Sequence, residues 1–297
     1  MLRLRFKSMA LTALLGLSFL TSATMATAQA ELRIVASFSI LGDMVQQVAG
    51  DKGDVTTIVG PDADAHLYMP NAGDAIAVTD ADIIFVNGMG FETWSSSLIE
   101  TSKTKAVVVT ATEGVVPVMV EGEVDPHAWN ALENGVIYVQ NIAKALSDLD
   151  AKNAPYYQGR ADAYIAELRA LDKKAAARFA ALPEGSRYVV TAHDAFGYLA
   201  DAYGLTFLAP VGIDTEAEPT ARELADLIDF LKEVNAKALF VENITNPDLI
   251  NQISAETGIK VEGRLYSDAL SIKGSPATSY LAMYEHNLES LMTALSK

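Results

Sequence analysis

The chain has 297 residues, with 38 Asp and Glu against 22 Lys and Arg, a formal net charge of −16 and no cysteine. Such acidity repels nucleic acid and anionic membrane surfaces. The missing thiol excludes disulfides, thiolate metal ligands and a lipid-bearing cysteine at a signal cleavage site.

At the N-terminus, Arg3, Arg5 and Lys7 precede an apolar run (9–20) and the small residues ATAQA. That order predicts a secretory signal peptide over 1–30, cleaved after Ala28 or Ala30. The run is too short for a transmembrane anchor of about 20 apolar residues. The mature protein is expected to be exported, soluble, free in a bacterial periplasm and not lipid-anchored. What remains can bury one large core or two smaller ones.

Past the leader, LRIVAS (32–37) reads as a buried strand. The helix SILGDMVQQVAG follows, with Ile40, Leu41, Met44, Val45 and Val48 on one face and Gly50 as its stop. Strands VTTIVG (55–60), DIIFVNG (82–88) and KAVVVT (105–110) come next, then a brief apolar run, VVPVMV. A long helix is predicted over 153–183, with Asn153 as its cap, Pro155 in the first turn and Pro183-Glu184-Gly185 as its end. Its apolar stripe is Tyr157, Ala161, Tyr164, Leu168, Leu171, Ala175, Phe179 and Leu182. At about 1.5 Å per residue it would run ~43 Å, long enough to brace two lobes and limit hinge motion.

Beyond the helix the pattern returns as strand RYVVTA (187–192), helix DAFGYLADAYG, LTFLAPVG and helix ARELADLIDFLKEV. Strand KALFVEN (237–243), a helix from Asp248 and IKVEGRLYS complete it. Gly50 and Gly204, Gly60 and Gly212, and Asn87 and Glu242 are each about 150 residues apart, a constant register that indicates duplication. The alternation predicts an α/β fold of two similar lobes, with parallel sheets flanked by helices and joined by one long rigid helix. The expected division is an N-terminal lobe (31–152), the linking helix (153–183) and a C-terminal lobe (184–297).

In open parallel sheets, ligands gather beyond the carboxyl ends of the strands. His66 follows VTTIVG, and His127 lies in the loop after KAVVVT and VVPVMV. His193 comes directly after RYVVTA, and Asp268 directly after VEGRLYS. Three imidazoles and a carboxylate drawn from two lobes would make a closed divalent-metal site. Singly, each has an ordinary explanation: a solvated loop histidine, an Asp-Pro turn in DPH, a helix cap at Asp268, a surface pair in His193-Asp194. What favours the metal reading is that three of the four histidines fall at strand ends of a duplicated fold. The fourth, His286, falls within the helical stretch SPATSYLAMYEHNLESLMTAL, off its apolar stripe, and is expected to be exposed.

The segments VGPDADAHLYMP, ADIIFVNGMGFETW, DPHAWN, TAHDAFGYLA, TEAEPT, FVENITNP and LYSDAL run in this order through the mature chain. Together they resemble the TroA-like zinc/manganese solute-binding proteins of ABC importers. The resemblance implies two α/β lobes with an ion held between them, and its four ligand positions fall on His66, His127, His193 and Asp268. It further implies a monomeric, non-enzymatic receptor that hands its ion to an inner-membrane ABC permease, with a metallochaperone as a possible second partner. The chain departs from the family at Ala65, where proline is usual, and at Met69, where glutamate is usual; neither is a ligand. PVMVEGEV, before the DPH turn, lacks the His-rich insertion of many zinc-dedicated members.

Three neutral imidazoles and one carboxylate suit tetrahedral Zn²⁺. Mn²⁺ prefers more oxygen, which would require both oxygens of Asp268. Related manganese receptors commonly carry glutamate at the third position, where this chain has His193. Zinc is therefore the expected cargo, with manganese or iron as the alternative. Asn87, Glu242 and Asp64 are expected to orient the imidazoles from behind, while Trp129 and Tyr68 pack the cleft. A metal-dependent hydrolase would need an open position for water and a base, for which Asp194 or Glu242 would have to serve. Neither a phosphate-binding Gly-Lys loop nor a G-x-S-x-G elbow is present. An adhesin or storage protein using the same site is the third class.

Overall fold

Short apolar strands alternating with helices build two four-stranded parallel sheets in this computed structural model, which describes residues 31–183, 187–234 and 236–297. The expected signal peptide, 1–30, lies outside the described residues, as do Glu184 and Gly185 of the expected helix stop.

The first sheet contains β1 (Leu32–Phe38), β2 (Gly53–Val59), β3 (Ile83–Val86) and β4 (Val107–Thr110), in the order β2-β1-β3-β4. Strand β1 is buried continuously from Ile34 to Phe38, as expected for a central strand covered on both faces. Helices α1 (Ser39–Ala49), α2 (Ala72–Asp80) and α3 (Ser95–Ser102) connect the strands. Helix α1 buries the expected face and stops at Gly50, whose φ of 56° and close approach to Tyr156 and Arg160 leave no room for a Cβ. Asn71 and Asp74 form a capping box at the start of α2.

A small antiparallel hairpin, β5 (Met119–Val120) and β6 (Glu123–Val124), precedes α4 (Leu132–Leu149). Then comes α5 (Ala154–Ala180), 27 residues long, or about 40 Å at the helical rise. It buries the expected stripe and packs mainly on α4, also touching α1 and two later helices.

The second sheet holds β7 (Tyr188–Val190), β8 (Thr206–Leu208), β9 (Ala238–Glu242) and β10 (Val261–Leu265). Its order, read from the other edge, is β8-β7-β9-β10: second strand, first, third, fourth, just as in the first sheet. The matching landmarks in the sequence reflect this shared topology. Its helices are α6 (Gly197–Tyr203), α7 (Ala221–Glu233), α8 (Asp248–Thr257) and α9 (Tyr280–Leu295). Helix α9 starts later than its sequence pattern suggests. Ser279 caps it by accepting from the Ala282 N–H, and the residues before it form a loop closed by Ser271–Ala277 hydrogen bonds.

The largest apolar cluster runs from both faces of the first sheet through α4, α5, α6 and α9 to one face of the second sheet. The other face of the second sheet packs α7 and α8 over a separate, smaller cluster. Among the described residues no helix is long and apolar enough to cross a membrane.

Candidate metal centre

Strand ends deliver the four candidate side chains to one point. His66 stands in the loop after β2, where Asp64 Oδ1 accepts from the His66 N–H at 2.8 Å and the Trp94 indole donates to the Ala65 carbonyl. His127 follows β6 in a tight turn. Asp125 Oδ1 accepts there from the His127 N–H at 2.9 Å and lies 2.8 Å from Nδ1. That contact places a proton on Nδ1 of a neutral ring and leaves Nε2 as a lone pair facing the site.

His193 follows β7. Its Nδ1 is 2.7 Å from Glu242 Oε2, at ion-pair distance although off the line of a hydrogen bond. Glu242, at the end of β9, accepts from the N–H groups of Ala192 and His193 and from Ser267 Oγ. Asp268 follows β10. Its Oδ2 lies 3.1 Å from His193 Nε2, 3.3 Å from His66 Nε2 and 3.6 Å from His127 Nε2. His66 and His127 Nε2 are 3.3 Å apart, and the four donor atoms lie within 4.8 Å of one another.

These spacings have a simple geometric reading. A tetrahedron with arms of about 2.0–2.1 Å has edges of about 3.4 Å, close to the three separations from Asp268 Oδ2 and the one between His66 and His127. His127, His193 and Asp268 are fully buried, and His66 is only 8% exposed. Asp268 Oδ1 is buried with no hydrogen-bond partner.

The electrostatics follow from crowding. Burial opposes charge on His127, but Asp268 and Asp125 outweigh it and raise its pKa to about 9. Burial likewise works against His193, which Glu242 and Asp268 push well above the ordinary imidazole value. Burial alone would raise Asp268, yet His127 and His193 hold it well below the usual carboxylate range. A cavity of about 280 Å³ reaches His66, with Glu123, Asp214 and Glu216 in its walls.

Other residues singled out from the sequence take varied positions. Glu242 stands behind His193 as described, whereas Asn87 does not touch an imidazole: its Nδ2 donates to the Pro126 carbonyl, beside His127. Asp64 grips the His66 backbone and accepts from Thr215 Oγ1 of the second lobe at 2.6 Å. Trp129 packs between Phe38 and Phe91, and Tyr68 stacks edge-on to Trp94 while donating to Asp74. His286 lies outside the cluster, half-buried rather than exposed, against the Arg264 carbonyl and the Tyr266 ring. Two further buried carboxylates, Asp125 and Glu92, stand close by in the first lobe. Asp125 was read only as part of a turn, although it stands two residues before His127. Glu92, which accepts from Ser37 Oγ and the N–H groups of Asn87 and Gly88, carries no local signal.

A profile of the family described as zinc-uptake complex component A, periplasmic, matches residues 34–294. The manganese-binding lipoprotein MntA of Halalkalibacterium halodurans is 34% identical over 267 residues, covering 90% of this chain and 89% of its own. The iron ABC transporter substrate-binding lipoprotein MtsA of Streptococcus pyogenes serotype M1 is 37% identical over 278 residues, 90% of each chain. Among solved structures, the periplasmic zinc binding protein TroA from Treponema pallidum superposes with a TM-score of 0.86 at 27% identity, covering 90% of this chain and 100% of that one.

These names overturn one expectation, that of a receptor free in the periplasm and not lipid-anchored: the Halalkalibacterium and Streptococcus relatives are lipoproteins. The expectation rested on the missing cysteine. That absence bears on one attachment chemistry and is no measure of where a chain resides.

Proposed function

The chain belongs to the family of zinc-uptake complex component A, the substrate-binding proteins of metal ABC transporters, and we propose that it is a zinc receptor whose ligands are His66, His127, His193 and Asp268. The observation that carries this reading is the gathering of three Nε2 atoms within 3.1–3.6 Å of Asp268 Oδ2 at a buried point. Neutral imidazoles and one carboxylate match the donor preference of Zn²⁺. The first half of the chain supplies two donors and the second half the other two, so an ion would join the lobes 31–152 and 184–297 across the helix 153–183. Capture and hand-over to an ABC permease need no covalent step. Four protein donors also leave no place in a tetrahedral site for the activated water of a hydrolase.

Manganese is the second reading. The relatives named for manganese and iron favour it, as does Asp268 Oδ1, a spare oxygen for an ion of higher coordination number. Metal content of the chain purified without added metal separates the two: about one zinc per chain is the expected result, and manganese or iron in its place would refute the choice of cargo. His193→Glu, which adds oxygen, should shift competition toward manganese; an unchanged preference would count against the role given to His193.

A further inference from the structure

Four donors from two lobes can share one ion only if the lobes meet accurately, and of the chain's two tryptophans Trp129 sits at that meeting. Trp129, two residues past His127, is fully buried, and its Nε1–H donates to the Ser267 carbonyl at 2.7 Å, next to Asp268. The adjacent Asn130 is buried too. Its Nδ2 donates to the Ala195 carbonyl at 2.9 Å, two residues past His193. From α9, the hydroxyls of Tyr280 and Tyr284 donate to the carbonyls of Trp129 and Asn130 at 2.5 and 3.1 Å. Ser267 Oγ completes a ring by donating to Glu242, which accepts from the His193 N–H. His127, His193 and Asp268 thus belong to one buried network crossing the lobe boundary.

His66 is held differently. Its loop is tied within the first lobe by the half-buried Trp94, whose Nε1–H donates to the Ala65 carbonyl at 2.8 Å. Its ties to the second lobe run through the half-buried Asp64, which accepts from Thr215, and the exposed Asp62, which accepts from Asn243 and the Ile272 N–H and whose own N–H donates to the Leu270 carbonyl at 2.8 Å. Water can replace a partner at the surface, whereas breaking a buried bond strands two desolvated groups. Of the four donors, His66 alone keeps some exposure, and it faces the acid-walled cavity.

We propose that Trp129 and Asn130 are positioning residues that hold His127, His193 and Asp268 as a preassembled three-donor cup, and that His66 is the donor that moves when an ion enters or leaves. This rests on the metal-receptor reading above. Because the chain has two tryptophans, the indole N–H signals of ¹⁵N-labelled protein report separately on the cup (Trp129) and the His66 loop (Trp94). On removing zinc with a chelator, Trp94 indole exchange with D₂O should accelerate by about tenfold or more while Trp129 stays slow. Acceleration of Trp129 to the same extent, or no change at Trp94, overturns the proposal.

A variant gives a second readout. Trp129→Phe keeps an aromatic ring but loses the donor, and should weaken zinc binding by about tenfold or more and alter the visible spectrum of the Co²⁺-loaded protein. Leu231→Val, remote from the site, is the control for destabilisation alone and should leave both unchanged. Wild-type affinity and spectrum in Trp129→Phe would overturn the proposal but leave the receptor standing. A wild-type chain that binds neither zinc nor manganese would instead overturn the receptor reading and this proposal with it.

Discussion

In the first sheet, residues pointing to opposite faces, such as Ile34 and Val35, belong to one apolar cluster, whereas neighbours in the second sheet part company. Val189, Ala238 and Phe240 face the main core, while Val190 and Leu239 face the smaller cluster with Ile228 and Leu231 of α7 and Ile250 and Ile253 of α8. Both sheets have the same strand order, so topology does not explain the difference. Packing does: Val78 of α2 and Leu98 of α3 join the main cluster over the first sheet, whereas α7 and α8 keep a cluster of their own over the second. A small apolar cluster resists opening less than a large one. The second lobe therefore has a firm inner face, which carries the donors, and a softer outer one.

The test of largest expected effect probes the inner face. Asp268→Asn removes the negative charge that all three imidazoles approach, so zinc affinity in a chelator competition should fall by more than the ~10–100-fold typical of groups behind a ligand. A loss below about tenfold would mean that the two halves do not share the ion through this carboxylate.

Next comes the soft face. Leu231→Ala should cost about 2–5 kcal/mol of stability by denaturant unfolding, with hydrogen exchange accelerating in α7 and α8 ahead of the rest. Zinc affinity should hold. Uniform acceleration across both lobes would show that the small cluster unfolds only with the main core, and would erase the distinction between the faces.

A pH series sharpens the comparison through His127, a first-lobe group whose proton is held mainly by Asp268 of the second lobe. Its raised value, about 9, compares with about 6.5 in an unfolded chain. Stabilisation from this pairing is fully present below about pH 6.5 and lost as pH rises through about 9. Zinc requires the neutral ring, so its affinity should climb over the same window. The metal-free melting temperature should therefore fall while zinc affinity rises. Parallel trends would contradict the assignment.

The smallest effect belongs to the surface pair at the edge of the first lobe. Arg33 donates to Asp82 and, through that hydrogen bond foremost, holds its carboxyl below the ordinary value. The contribution is present above about pH 4 and lost as acid titrates Asp82. Because the pair is largely exposed, Asp82→Asn should change stability by no more than about 1 kcal/mol.

Much of this arrangement was legible before folding, for a definite reason. Parallel α/β topology fixes where strands end, so His66, His193 and Asp268 could be placed at strand ends without any contact being known. The stripe of α5 was equally plain. Helix α4 carries the same signal in Leu132, Val136, Val139, Ala143 and Leu146, directly after the DPHAWN turn. Long-range partners were beyond reach in principle. Nothing near Trp129 indicates that its indole meets Ser267, 138 positions later, and nothing near Asn87 indicates that it serves a carbonyl and not a ring. Asp125 is the exception, an adjacent signal set aside as turn chemistry.

Helix α5 has one more consequence. A single helix of 27 residues in contact with α1, α4, α6 and α9 braces both halves of the molecule against one strut. A membrane transporter choosing between full and empty copies would then gain little from sensing overall size. The contour of the rim is the other feature on offer, where Leu67 and Met69 stand out beside His66 and Ile272 stands out beyond Asp268.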